Sequence, residues 1–229
     1  MKIALLMNKN AYAGREYLQQ LKNAGLYVDI IAIGDYPEEN RIEDERCNGL
    51  WKPKRMEDLV SELELFSFAS LKADDLQDHL LRREYDIGIL GGTGILKSTV
   101  IERFGLGIFN FHPGDLPGYR GCSAPEWQII EGKDVVSTCH LVDEGIDTGK
   151  IYAKKVLGLD YSSYNTMRAT VYPETAKFMV CIIKSIISHG GFLRELIAQN
   201  ETEALYRKYI GDDRIKEIDN ILSKRGDTK

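Results

Sequence analysis

The chain has 229 residues, 43% hydrophobic and 28% charged, enough to bury one large α/β core with a small appendage but cramped for two full domains. A net charge of −5 argues against a nucleic-acid partner, and no window has the apolar length of a membrane span. The N-terminal MKIALLMNKNAYAG does not read as a signal peptide, so a cytoplasmic location is expected; Cys47, Cys122, Cys139 and Cys181 lack metal-ligand spacing and read as reduced, small buried hydrophobes, with no metal expected.

Residues 2–7, KIALLM, form a compact apolar run that predicts a buried parallel strand. Tyr17, Leu18, Leu21 and Ala24 follow at helical spacing, Gly25 stops the helix, and residues 27–33 supply a second strand. In such a βαβ opening the loop after the first strand lies at the ligand edge of the sheet, which makes Asn8, Lys9, Asn10 and Arg15 candidates for substrate contact. Gly14 alone does not make a dinucleotide fingerprint, so NAD is not expected.

From residue 34 to about 61 the chain turns charged, with Pro37, Glu38, Glu39, Arg41, Glu43, Asp44, Glu45 and Arg46 in close succession, a pattern that predicts a solvated surface excursion ending near Ser61. Trp51 beside Lys52, Lys54 and Arg55 could hold a nucleotide base and its phosphates. A short strand at 65–70, a helix capped by Asp74 or Asp75 and running through Arg83, and a strand from Tyr85 come next. Gly91, Gly92 and Gly94 lack the Gly-Lys-Ser/Thr of a Walker loop; they let backbone approach a planar ligand or turn tightly. A short helix from Ser98 or Thr99 ends near Phe104 and leads into the strand GLGIFNFH.

Ser123 and Glu126 fit a capping box, with Pro125 in the first turn of a helix. Residues 135–142 and 150–156 read as a hairpin-like pair around the loop 143–149. Beyond Leu159 the pattern is helical, with an apolar stretch at 175–187 and two charged helices expected at about 192–208 and 212–224. The expected fold is α/β, a doubly wound and mostly parallel twisted sheet over residues 1–190, with a helical C-terminal extension over 191–229.

Asn110 and His112 are two apart in a strand, so they face the same side at its end, where Pro113 breaks the ladder. Asp147, on a glycine-flanked turn, is the natural carboxylate partner. With no serine or cysteine nucleophile placed beside them, an amide, an imidazole and a carboxylate favour addition of an external nucleophile to a carbonyl. Asn110 would donate to an oxyanion, His112 would donate to it or shuttle a proton, and Asp147 would orient the imidazole or accept a proton. A strand histidine is more often a hydrogen-bonded structural residue, so the residues by themselves leave both readings open.

NFHPGDLPGYRG, residues 110–121, resembles the Asn-x-His-Pro-x-x-Leu-Pro-x-Tyr-Arg-Gly signature of the folate-dependent formyltransferases, and DEGIDTGKI, residues 143–151, resembles that family's aspartate loop. The similarity runs from about residue 86 to 156. It implies a Rossmann-like formyltransferase fold, catalysis by Asn110, His112 and Asp147, and a folate pocket lined by Thr93, Gly94, Ile95, Leu96, Val142, Glu144, Gly145 and Ile146. The implied reaction is transfer of a formyl group from 10-formyltetrahydrofolate to a primary amine. An arginine usual in the family is missing at Gly94, and Gly114-Asp115 replaces the common Ser-Leu, which suggests a loop tuned to a different acceptor. The short, weakly basic C-terminal part disfavours a methionyl-tRNA formyltransferase, and NKNAYAGRE disfavours the phosphate loop of a glycinamide ribonucleotide formyltransferase. The resemblance is then nearest to enzymes that formylate amino sugars on a nucleotide, with a homodimer among the expectations. A formyltetrahydrofolate deformylase and a non-catalytic folate- or nucleotide-binding protein stay as alternatives.

Overall fold

A computed structural model describes residues 1–34, 37, 40–60 and 64–226; Glu38, Glu39 and Ser61 of the charged stretch lie outside the described residues. Seven strands form one sheet: β1 (Ile3–Asn8), β2 (Asp29–Ile33), β3 (Leu65–Phe68), β4 (Ile87–Leu90), β5 (Ile108–His112), β7 (Val136–Leu141) and β8 (Ile151–Val156), in the order β3-β2-β1-β4-β5-β7-β8. The first five are parallel, and β7 and β8 run antiparallel, as the hairpin pattern predicted. A two-residue strand, β6 (Arg120–Gly121), pairs with β9 (Tyr206–Arg207) away from the main sheet.

Strand β1 is apolar on both faces because both are covered. Leu5 and Met7 pack with Tyr17 and Leu21 of α1 (Tyr12–Asn23) and with Met179 and Ile183 of α7 (Tyr164–Ser188). Ala4 and Leu6 pack on the opposite face with Leu76 and Leu80 of α4 (Asp74–Arg83) and Val100 of α5 (Ser98–Ile101). A third cluster joins Ile129 of α6 (Ala124–Ile130), Met167 and Val171 of α7, and Ile210, Ile218 and Leu222, the last two on α8 (Asp212–Gly226). The doubly wound, mostly parallel sheet is therefore present, with a helix at its C-terminal end.

Several local expectations are corrected. The charged stretch is not simply a solvated excursion: α2 (Arg41–Cys47) forms within it, N-capped by Asn40, whose side chain accepts from Glu43 N–H, and Glu43 and Arg46 are buried. The helix expected over 192–208 does not form. Gly190 and Gly191 take left-handed φ, and the chain beyond them is irregular, with a 3-10 turn at Glu201–Glu203, bonding Ile197 to Ile151 in both directions and laying β9 against β6. Ser123 makes no capping box, since its own φ is 53° and its hydroxyl accepts from Ile210 N–H instead. Neither Asp74 nor Asp75 caps α4, which begins after Ala73 with no side-chain cap. Helix α7 starts eleven residues before the stretch expected from residue 175, at a Ser163 cap whose side chain accepts from Thr166 N–H. Cys47 and Cys139 are buried as expected, whereas Cys122 and Cys181 are exposed.

Candidate active site

Strand β5 ends at the carboxyl edge of the sheet between β4 and β7, so its last alternate residues, Asn110 and His112, project together into the crevice beyond the strand ends. The turn after β7 brings Asp147 to them. Asn110 Nδ2 donates to Asp147 Oδ1 at 3.3 Å, and His112 Nδ1 lies 3.6 Å from Asp147 Oδ2. Asp147 itself has φ 56°, a left-handed conformation that a non-glycine residue adopts at some cost, and Gly121 N–H donates to its Oδ2 at 2.8 Å.

His140 completes the cluster, and the sequence reading did not include it. Register pairs its Cα with that of Asn110 across β5 and β7. Its Nδ1 is 2.8 Å from the Leu141 carbonyl, an oxygen that can only accept, so Nδ1 carries the hydrogen and Nε2 is free to accept from Asn110 Nδ2 at 3.1 Å. The same argument fixes the His112 ring. Its Nε2 donates to the Tyr119 carbonyl at 2.6 Å, which leaves a lone pair on Nδ1 facing Asp147. Both hydrogens of the Asn110 amide thus point at His140 and Asp147, and the proton of neutral His112 is held by Tyr119. The resting arrangement is built to receive a proton at Nδ1. Donation from Asn110 to an oxyanion requires release of its longer bond, the one to Asp147.

Charge state follows burial and neighbours. Burial pushes the His112 imidazole below its ordinary value, more than the Asp147 charge and the Tyr119 bond raise it, so the ring is neutral at neutral pH. Burial also pushes the Asp147 carboxyl up, but the His140 ring, its Nε2 3.6 Å from Asp147 Oδ1, the charge His112 carries once protonated, and the Gly121 N–H together outweigh it and hold it at about 2.

These side chains open into a cavity of about 380 Å³ whose lining includes Asn110, His112, His140, Asp147, Thr93, Gly94, Ile95, Leu96, Val142, Gly145 and Ile146. Of the expected pocket residues Glu144 stands off the wall; its Oε1 accepts from Ser98 N–H and ties the aspartate loop to the start of α5. An added Cβ at Gly94 would meet nothing within 4 Å, so the side chain missing there relative to the family leaves open space. Among the described residues no group of three or more His, Cys, Asp or Glu could hold a metal ion, and no helix is long and apolar enough to cross a membrane.

The expected acceptor residues do not converge. Asn10 lines a second cavity of about 380 Å³ beyond the tip of β1, with Tyr12, Asn40, Arg41 and Ile42. Asn8, the last residue of β1, donates its N–H to Gly92 O, and Lys9, the next residue, donates to Ile33 O; neither lines either cavity. Arg15 is fully buried with its guanidinium 4.6 Å from the Tyr12 ring. Trp51 stacks on Tyr172 at 5.4 Å between centroids and donates to Glu16, so neither Arg15 nor Trp51 lines either cavity. Asp115 pairs with Lys154 Nζ at 2.6 Å in a different recess, beside Tyr119 and Arg207, away from the cavity that Asn110, His112 and Asp147 line.

Comparison with known proteins adds the family. Residues 1–180 match the family described as Formyl transferase. A methionyl-tRNA formyltransferase of Azobacteroides pseudotrichonymphae genomovar. CFP2 is 30% identical over 154 residues, 66% of this chain and 47% of that protein. A phosphoribosylglycinamide formyltransferase of Bacillus subtilis (strain 168) is 30% identical over 103 residues, 44% of this chain and 53% of that protein. The chain thus spans about half the length of these relatives. Among solved structures, a sugar N-formyltransferase from Shewanella sp FDAARGOS_354 superposes with a TM-score of 0.61 at 16% identity, covering 97% of this chain and 88% of that one. An N-formyltransferase from Helicobacter canadensis, in complex with folinic acid and dTDP-3-aminofucose, gives 0.58 at 18% identity, covering 90% of this chain and 70% of that one. At these identities the superpositions establish the fold, and the match over residues 1–180 establishes that this chain belongs to the formyl transferase family.

Proposed function

We propose that the chain transfers a formyl group from 10-formyltetrahydrofolate to the primary amine of a nucleotide-linked amino sugar, with Asn110, His112 and Asp147 as its catalytic residues. The observation that carries this reading is the convergence of Asn110, at 3.3 Å, and His112, at 3.6 Å, on the Asp147 carboxylate, in one cavity walled by residues 93–96, 142, 143 and 145–147. That wall suits a planar folate: Leu90, Leu96 and Val142 are apolar, and Ile95 and Ile146 stand half-exposed at the rim. The bound donor supplies an activated carbonyl carbon. The neutral His112 Nδ1, backed by ionised Asp147, takes the proton from the attacking amine. Once protonated, that same nitrogen becomes a donor for the developing oxyanion or the departing nitrogen, and Asn110 adds a second donor.

A sugar nucleotide is favoured as acceptor by three observations. The net charge is −5, the loop after β1 lacks a glycine- and serine-rich phosphate cradle, and a sugar N-formyltransferase shares the fold over 97% of the chain. The Helicobacter canadensis protein, with its folate and dTDP-amino sugar, supports both halves of the reading by analogy of fold. Glycinamide ribonucleotide is the second reading, favoured by the Bacillus subtilis relative.

The test is incubation with 10-formyltetrahydrofolate alone, then with dTDP-, UDP- and GDP-linked amino sugars, glycinamide ribonucleotide and methionyl-tRNA. Tetrahydrofolate release and the mass gain of one formyl group are the readouts. Release only with an amino-sugar nucleotide is expected; release without any acceptor identifies a hydrolase, and binding without release identifies a non-catalytic folate protein. Asp147→Asn should lower kcat by about a hundredfold or more with the fold intact, and wild-type turnover in that variant removes Asp147 from the mechanism.

A further inference from the structure

The C-terminal segment that follows α7 crosses back over the catalytic loops, and it lies beyond residue 180, where the family match ends. Arg120 N–H donates to Leu205 O, Cys122 N–H to Arg207 O, and Leu205 N–H to Pro117 O, so residues 205–207 form a short ladder on the signature loop. At Gly121 an added Cβ would stand 2.6 Å from Arg207 O, which shows how closely the two chains approach.

One side chain of this segment touches both halves of the active site. Gln199 Nε2 donates to the backbone carbonyls of Asp147 and Gly149, each at 2.8 Å. Its Oε1 accepts from Arg120 Nε at 3.1 Å and Nη2 at 2.9 Å. Arg120 is 1% exposed and is held further by a bidentate pair with Glu201. The residue after it, Gly121, supplies the N–H that holds the Asp147 carboxylate.

We infer that Gln199 is a positioning residue for catalysis, a staple that fixes the left-handed Asp147 turn against the signature loop and so sets the distance from Asp147 to His112 and Asn110. The inference rests on the catalytic reading of those three residues. A left-handed, non-glycine turn has a cheaper extended alternative; an amide that satisfies two of its carbonyls at once selects the bound form. Oxygen and nitrogen of the same amide are both needed, since the oxygen meets only a guanidinium and the nitrogen only carbonyls. Glutamate keeps the first set of bonds and loses the second, and leucine loses both.

Gln199→Glu and Gln199→Leu are compared with wild type in three measurements: melting temperature, kcat and KM on the active acceptor, and the pH titration of the His112 ring by NMR without ligands. That ring faces the Asp147 carboxylate, His140 and the Tyr119 carbonyl, so its titration reports whether Asp147 is in place. Folded variants are expected to lose about 10- to 100-fold in kcat with both KM values within about threefold of wild type, because a displacement near 1 Å costs that much. The His112 midpoint should fall as its acidic neighbour moves away. Wild-type kcat in either folded variant overturns the staple, and so does a loss of kcat with an unchanged His112 titration, which marks a merely structural role. If wild type transfers no formyl group to any acceptor while the variants still shift His112, the proposed reaction fails and the staple stands.

Discussion

Gly114 carries a steric constraint that no other residue type meets without movement. A Cβ built there would lie 2.4 Å from His112 Nε2 and 2.7 Å from the Tyr119 carbonyl, the two atoms whose hydrogen bond fixes the imidazole. A methyl group at that point must push the ring or the carbonyl away, and overpacking of this kind costs about 1–3 kcal/mol. Gly114→Ala should therefore lower stability by about that amount in urea denaturation and cut kcat severalfold, because the ring would lose the partner that keeps its proton on Nε2. Unchanged stability and turnover would show that the loop shifts freely. The departure from the family's Ser-Leu is thus answered at Gly114 by contact with His112, while Asp115 pairs with Lys154 elsewhere. Asn110 and His112 were legible in the sequence because parity along one strand is local. His140 was not, because its place beside Asn110 depends on the register between β5 and β7 and on an irregularity at Cys139/His140.

Buried charge joins helices α2, α6 and α7, in addition to the apolar contact between α6 and α7. Arg168 donates to Glu43 Oε2 and lies 3.6 Å from Glu126 Oε1, which is also 3.1 Å from Arg46 Nη1 and bonded by the Tyr164 hydroxyl; all four charged side chains are at least nine-tenths buried. Arg46 Nη2 reaches on to the Ile210 carbonyl, so the cluster also ties in the chain leading to α8. Removing Arg168 strands Glu43 in the interior and leaves Glu126 to Arg46 and the Tyr164 hydroxyl, and breaking a buried pair typically costs about 3–5 kcal/mol. Arg168→Met should show that loss by chemical denaturation, with little dependence on salt because the pairs are shielded from solvent. A loss below about 1 kcal/mol would mean that water reaches the carboxylates in the variant. The sequence displayed these charges as a run with no apolar period and so suggested a solvated surface; the partners that balance them lie far along the chain, Arg168 for Glu43 and Glu126 for Arg46.

At the scale of the whole molecule, acid stability should fall in two windows. His112 is held below its ordinary 6.5 in the folded state, so the unfolded chain binds that proton first and stability declines as pH falls through 6.5. Asp147 is held at about 2 against an ordinary 3.8, so its contribution, roughly 2 kcal/mol, is complete above 3.8 and is lost as pH falls through about 2. Urea midpoints from pH 8 to pH 2 check this when wild type is compared with Asp147→Asn. The stability gap between them should be constant above pH 6.5, where the His112 ring is neutral in both, and close toward pH 2 as Asp147 is protonated, whereas a gap that is the same at pH 2 and pH 7 assigns the difference to packing. The same large scale decides what residues 192–208 become. Their charged, mixed pattern is compatible with a helix taken in isolation, but two left-handed glycines turn the chain back over the signature loop, where bonds to Ile151, Pro117, Arg120 and Asp147 are available.

The sequence by itself determined the two-sided sheet, since runs such as residues 2–7 are apolar on both faces. It also determined the side to which Asn110 and His112 point and, through the motif spanning residues 110–121, the family whose chemistry they resemble. These are properties of neighbouring residues, set by backbone alternation and side-chain size. Only the tertiary structure decided the partners of these side chains. Asp147 meets His112 across 34 intervening positions, His140 reaches Asn110 through strand register, and Gln199 closes both loops from beyond the family-matched region. Such contacts depend on how separate elements pack, and that is fixed by the three hydrophobic clusters and the buried charges acting together rather than by any local pattern.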